Sequence, residues 1–575
     1  MRKLLPALLL LAITLAAQAP AEPEAEALRE QARALLRQAA AVAVEAEPRD
    51  RTKLLSDIAS LQWKLGDRDA ANKNFDLAQE VLETVQDPSD AEPPALYPGA
   101  VATARIQVGD VDGAARTLER IQDPKTRKQV IESLAWGRAR NASTPEEVEA
   151  ARALVDQESA DRIARMLVGQ RAKQGDSEGA RALAETIVNP KDRAPALLIL
   201  ATTPAEIGAA RSLVDSRAAD DHCAMSAYRR AEAGEFELAR TFAEAVADPA
   251  KKAQVFKDVA SIEKRIRDKE AGKPPAVDES GFFYGRGKPT CWLEVPATPE
   301  LEAQVEAVIQ RALAGDLKGA LEIVSQIPSK EMQENLLVSL SVFQAYKEGV
   351  KNARATAERL RRNDCRAFAL EYISLFQIQA GDLTGAASTI DSMPDSLKKG
   401  SALTRLAAAQ IKAGESEGVL ALLSRARGYI LQGEVNEIFS PAPRQRAQAL
   451  GRVAIFQARL GERELAAETF AEAADFAIAG GEEEGTWTTL EIVAQMHAQA
   501  GLIAEGIAFV QAAPVKNRLS QIRHLMSITG RQQLVAESLA AAENLTIPAQ
   551  KASALLGVAE GLNLYAAGGP YKWPE

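Results

Sequence analysis

The stretch "QIQAGDLTGAASTIDSMPD", Gln377 to Asp395, decides how the chain is read. Gly381-Asp382 interrupts an otherwise helical pattern, and Pro394 follows about one short helix later. Glycine ends a helix because it adopts the left-handed cap without steric cost. The acidic residue after it suits the positive end of a following helix. Proline is tolerated at the first position of a helix, where its missing N–H is not needed. The stretch therefore predicts one helix, a tight turn, a second helix, and the start of a third.

The same pattern recurs along the chain. "LGDRDAA" stands at Gly66, "VGDVDGAA" at Gly109, "QGDSEGAR" at Gly175 and "AGEFELAR" at Gly234. "AGDLKGAL" follows at Gly315, "AGESEGVL" at Gly414 and "LGERELAA" at Gly461, with a weaker "AGLIAEGI" at Gly501. Gly381 and Gly414 are 33 residues apart, and Gly315 and Gly381 twice that. Weaker turns near Gly349, Pro145 and Pro204 fill the gaps. A period in this range signals stacked helical hairpins. Small residues stand five after the glycine (Ala71, Ala114, Ala180, Ala239, Ala320, Ala386, Ala466) and seven before it (Ala59, Ala102, Ser374, Ala407, Ala454, Ala494). They let paired helices approach closely. Prolines at Pro124, Pro190, Pro249, Pro328, Pro394 and Pro548 are expected to open the next hairpin.

This pattern resembles the tetratricopeptide repeat family. The aliphatic-small pair before the turn, the Gly-Asp, the small residue after it and the closing proline carry the resemblance over nearly all of the chain. It implies an all-α solenoid of stacked antiparallel hairpins whose first helices line a concave face that binds peptides or partner helices. Matching positions by register, groove residues would be Gln107, Lys173, Gln379, Lys412, Arg459 and Gln499, two before each glycine. The family's carboxylate clamp is not implied, because Thr103, Leu375, Ala408 and Ile455 stand where it places asparagine. The aromatic the family sets four before the glycine is also missing. Gln62, Arg105, Arg171, Arg230, Arg311, Gln377, Gln410, Gln457 and His497 form a polar row there. That row is either a ligand ladder or a set of hydrogen bonds to the turn of the neighbouring hairpin.

Composition agrees with helices. The 575-residue chain is 46% hydrophobic but only 5% aromatic, which favours close helix packing over a β-sandwich. Residues 1–21 read as a signal peptide: Arg2 and Lys3, an apolar Leu4–Ala17, then Ala19-Pro20-Ala21. The apolar stretch is short for a membrane anchor. Without Arg2 and Lys3 the formal net charge moves from −10 to −12. An acidic exported chain is a poor nucleic-acid binder, so a periplasmic or secreted location and no nucleic-acid partner are expected. Residues 22–263 are expected to form one array and residues 299–562 a second, with a short tail at 563–575. Between them, residues 264–298 carry prolines, glycines and four aromatics, Phe282, Phe283, Tyr284 and Trp292, and read as a loop packed onto the solenoid.

Chemistry is sparse. "GDSEG" at Gly175 and "GESEG" at Gly414 match the G-x-S-x-G elbow, which needs a strand-to-helix turn. Both fall on the repeat register and read as helix-to-helix turns. Three histidines and no H-E-x-x-H or paired C-x-x-C argue against a metal, and "DDHC" (Asp220–Cys223) spreads its side chains around a helix. No cofactor and no catalytic residue are expected. Three cysteines leave either one disulfide and a free thiol or three buried thiols, Cys223 with Cys291 being the preferred pair. The sequence favours a non-catalytic interaction scaffold. The alternative is a helical accessory subunit of an envelope enzyme or assembly complex.

Overall fold

The computed structural model describes residues 20–84, 99–142, 144–270, 298–415, 417–433, 442–479, 489–513 and 517–569. These residues form 29 helices, α1 to α29, and no strand. Cα packing divides the chain into two compact units. The first is residues 47–276. The second is discontinuous: residues 1–46 with residues 277–575. Of the signal peptide expected at 1–21, residues 1–19 lie outside the described residues, as do 271–297 of the loop expected at 264–298; residues 264–270 instead continue the helix Pro249–Glu270.

The turn predicted at Gly381 forms as read. Helix α19 (Asn363–Gln379) ends there, Gly381 takes φ 79°, and α20 (Leu383–Asp391) begins. The Asp382 carboxylate accepts the Gly385 N–H at 2.8 Å, capping α20. It also accepts Gln377 Nε2 at 2.9 Å, and Thr389 Oγ1 donates to Gln377 Oε1 at 2.6 Å. A Cβ at Gly385 would lie 1.9 Å from Asp382 Oδ2, so the second glycine of G-D-x-x-G makes room for the carboxylate. The same triad recurs: Arg105 with Asp110 and Gly113, and Arg311 with Asp316 and Gly319.

Four of the nine members of the polar row, Arg105, Arg230, Arg311 and Gln377, hydrogen-bond to the turn of their own hairpin, five residues on. The spacing explains it: one and a half helical turns past the row position, the chain has just reversed and presents its capping carboxylate. Two arginines reach further. Arg105 also donates to Asn72 (2.8 Å) and Asp76 (2.6 Å), and Arg230 donates to the Ile199 carbonyl (2.6 Å). His497 differs again, stacking on Phe470 with centroids 4.0 Å apart while Nδ1 meets the Val493 carbonyl at 2.9 Å.

Every small residue predicted at the two hairpin positions is buried to within 1%. Prolines open helices at Pro124, Pro190, Pro249 and Pro548. At Pro328 and Pro394 the expectation is corrected: Ser329 and Ser396 cap the helices and the proline lies outside them. Serine's hydroxyl accepts an otherwise orphaned N–H, which proline cannot do. In the first unit the turns near Pro145 and Pro204 use a different device. Thr144 with Glu147 and Thr203 with Glu206 form reciprocal capping boxes, without a left-handed glycine.

The boundaries also differ from the reading at the start of the chain. Helix α1 (Glu22–Ala43) packs against the last helix, α29 (Pro548–Gly568), in the second unit rather than joining the array that follows it. It buries Ala25, Ala32, Leu35, Leu36, Ala39 and Ala43. Its outer side carries a ladder of ion pairs, Arg29–Glu22 (2.8 Å), Arg33–Glu26 (2.9 Å) and Arg33–Glu30 (2.8 Å). A polar outer face is what the end of a repeat array needs. Helix α29 in turn lies backbone to backbone on α27 (Arg518–Arg531). A Cβ on Gly557 or Gly561 would sit 2.3 Å from the Arg523 or Ser527 carbonyl.

Candidate functional site

In the second unit the first helices of successive hairpins stack on one another: α17 (Lys330–Lys347), α19, α21 (Leu397–Lys412), α23 (Ala442–Arg459), α25 (Thr489–Gln499) and α27. Gln379, Lys412 and Arg459 stand exposed near the ends of three consecutive members. Gln107 and Lys173 are exposed too, but belong to the first unit. Gln499 is buried, with Nε2 lacking a partner, so it presents nothing to a ligand. The six register positions therefore do not make one row.

A second row was missed. Nine residues before the turn glycine stand Tyr372, Arg405 and Arg452, on α19, α21 and α23. Arg452 precedes Arg459 by seven residues, two helical turns, and so shares its side of α23. The alignment on Gly-Asp contained this signal. It was hidden because Arg and Tyr at one register are not a motif until the helices are known to be neighbours.

Electrostatically the patch is cationic. Glu371 is nearly buried and receives both Arg405 Nη1 (2.6 Å) and Lys398 Nζ (3.3 Å). Arg452 is exposed and pairs with no acid among the described residues. Burial by surrounding protein, with the charge of Arg405, lowers its pKa. Burial does the same to Arg459, whose guanidinium lies 5.5 Å from the Phe456 ring. Earlier helices of the stack, α17 and α19, carry aromatic surface: Phe368 and Tyr372 have centroids 4.8 Å apart, and Tyr346 and Phe376 6.3 Å. Tyr346 and Tyr372 are both more than a third exposed.

The other candidates disperse. Asp220 accepts the Ala247 and Asp248 N–H groups and Arg211 Nη1, all within 2.9 Å. Asp221 pairs with Lys251. Cys223 is a free, buried thiol 3.4 Å from Arg211 Nη1, and Cys291 lies outside the described residues. Among the described residues no three His, Cys, Asp or Glu side chains are grouped to hold a metal. Ser177 opens a helix after a helix, as the register implied. In the "RLRR" patch, Arg362 is tied to Asp364 at 2.5 Å. No described helix is long and apolar enough to cross a membrane.

No protein-family profile matches the chain, and no curated protein sequence matches it. Among solved structures it is similar to Naa15/Naa10 bound to HypK-THB: 12% identity, 93% of this chain and 88% of that one, TM-score 0.36. Cut9-Hcn1, an APC/C hetero-tetramer, matches at 12% identity over 87% and 89%, TM-score 0.22. Ton1535 from Thermococcus onnurineus NA1 matches at 14% identity over 74% and 99%, TM-score 0.20.

Proposed function

We propose that this chain is an exported, non-catalytic scaffold that binds a peptide or partner helix across the first-helix face of its second unit. The observation that carries the reading is the run of cationic and aromatic side chains, exposed Tyr372, Arg452 and Arg459 with half-buried Arg405, on helices stacked in sequence. Arginine and tyrosine are the side chains that anchor protein interfaces. Export rests on Arg2, Lys3 and the apolar run to Ala17. The test is capture of partners from an envelope extract by the mature chain, beside a Lys412→Glu, Arg459→Glu variant of equal helicity. Partners captured by the native chain and lost by the variant support the reading. Identical capture by both removes this face from it. Co-purification with the envelope fraction in a fixed complex would instead favour an accessory subunit of an envelope assembly.

A further inference from the structure

Resting on that reading, we infer that the occupant of this face is an acidic peptide segment, and that Arg452 is its anchor. The argument starts from charge accounting on the stacked helices. Glu371 is already shared between Arg405 and Lys398. Glu491, on the next helix, accepts Gln521 Nε2 at 2.7 Å. Among the described residues Arg452 and Arg459 have no acid of their own, on a chain whose formal net charge is −10. An exposed guanidinium without a carboxylate is open to one supplied by a ligand, which would form a charge-assisted, bidentate pair with it.

The spacing fits an extended ligand rather than a small anion. Arg452 and Arg459 are two turns apart, roughly 10 Å along the helix at 1.5 Å per residue. One carboxylate cannot bridge that gap, while alternate side chains of an extended peptide can. Phe456, on α23 between the two arginines and only partly buried, would take an apolar side chain between the acidic ones. The first unit offers a contrast at the same register. Met166 and Met225, nine residues before Gly175 and Gly234, are each 51% exposed and uncharged. The cationic row is a property of the second unit alone.

The experiment is fluorescence anisotropy on the full mature chain with three labelled peptides of equal length: glutamate-leucine, glutamine-leucine and lysine-leucine. The glutamate peptide is expected to bind, the other two not, and binding should weaken from about 50 mM to about 300 mM salt as the Debye length shrinks. Arg452→Ala should weaken it about tenfold or more, Arg452→Lys less, and Arg116→Ala, at an exposed position of the first unit, not at all. Equal binding of the glutamine peptide, or unchanged affinity in Arg452→Ala, would overturn the inference. So would absence of glutamate-peptide binding at ~100 μM, or its full displacement by millimolar inorganic phosphate, which would assign a small-anion site. Each of these leaves the scaffold reading intact if envelope partners are still captured through Lys412 and Arg459. Failure of that capture, with the glutamate peptide still bound, would sink the broader reading instead.

Discussion

The two units use the same hairpin but join hairpins differently. In the second unit one apolar core has members from Val308 to Ala513 among the described residues. In the first it falls into successive pieces: Ala102–Leu134, Ala135–Leu200 and Leu198–Val259. Second-helix length does not separate the units: α20, whose Ala386 and Ile390 belong to the second unit's core, has nine residues, as α5 (Val111–Glu119) and α9 (Ser177–Glu185) of the first unit do. In a repeat protein, cooperativity comes from nearest-neighbour contacts, and a shared core supplies more of them.

The largest expected effects come from emptying the two cores. Phe470→Ala and Phe242→Ala each remove a fully buried ring and should cost about 3–5 kcal/mol. Hydrogen exchange should then rise across much of 308–513 for Phe470→Ala, but stay within about 198–259 for Phe242→Ala. Equal spread in both variants would erase the distinction.

Acid should separate the units next. His497 is buried between Phe470 and Phe509, and burial lowers its pKa to about 4. The unfolded value is about 6.5, so the unfolded chain binds a proton first on acidification. The stability His497 brings is therefore full above the unfolded pKa and lost as pH falls through about 4, an effect of ~3 kcal/mol. The first unit holds Glu206 instead, lowered to about 2, first by the Thr202 N–H it accepts. Its contribution is full above the ordinary carboxylate range and fades only toward pH 2. Half-buried His222 gives the first unit a weaker trend of the same sign as His497. Exchange followed against pH should show the second unit loosening earlier, and His497→Phe should remove most of that lead.

The smallest effect tests one turn. Gln533 holds φ 65° where the Gly-Asp and Gly-Glu turns place glycine. A left-handed non-glycine residue costs roughly 1–2 kcal/mol, so Gln533→Gly should raise the second unit's stability by about 1 kcal/mol once glycine's unfolded-state entropy is deducted. No rise in the thermal midpoint would mean the turn is relaxed as it stands.

Much of this was written locally. Gly381, Asp382 and Ala386 act within one hairpin, so a single alignment on Gly-Asp exposed the cap, the carboxylate and the close approach. Arg452 was not legible in the same way, because its meaning depends on Arg405 and Glu371, which lie on two other helices. Gln499 failed for the matching reason: its register is that of an exposed residue, yet packing covers it.

By itself the sequence determined the repeat, because helix ends, caps and small interface residues obey short-range chemistry that reads the same in every copy. Only the tertiary structure decided which hairpins share a core, that α1 completes the far end of the chain beside α29, and that members of the polar row close their own turns. Those outcomes depend on contacts between residues far apart in sequence. A periodic pattern offers many equivalent partners for each helix, and side-chain volume and charge at the contact select among them.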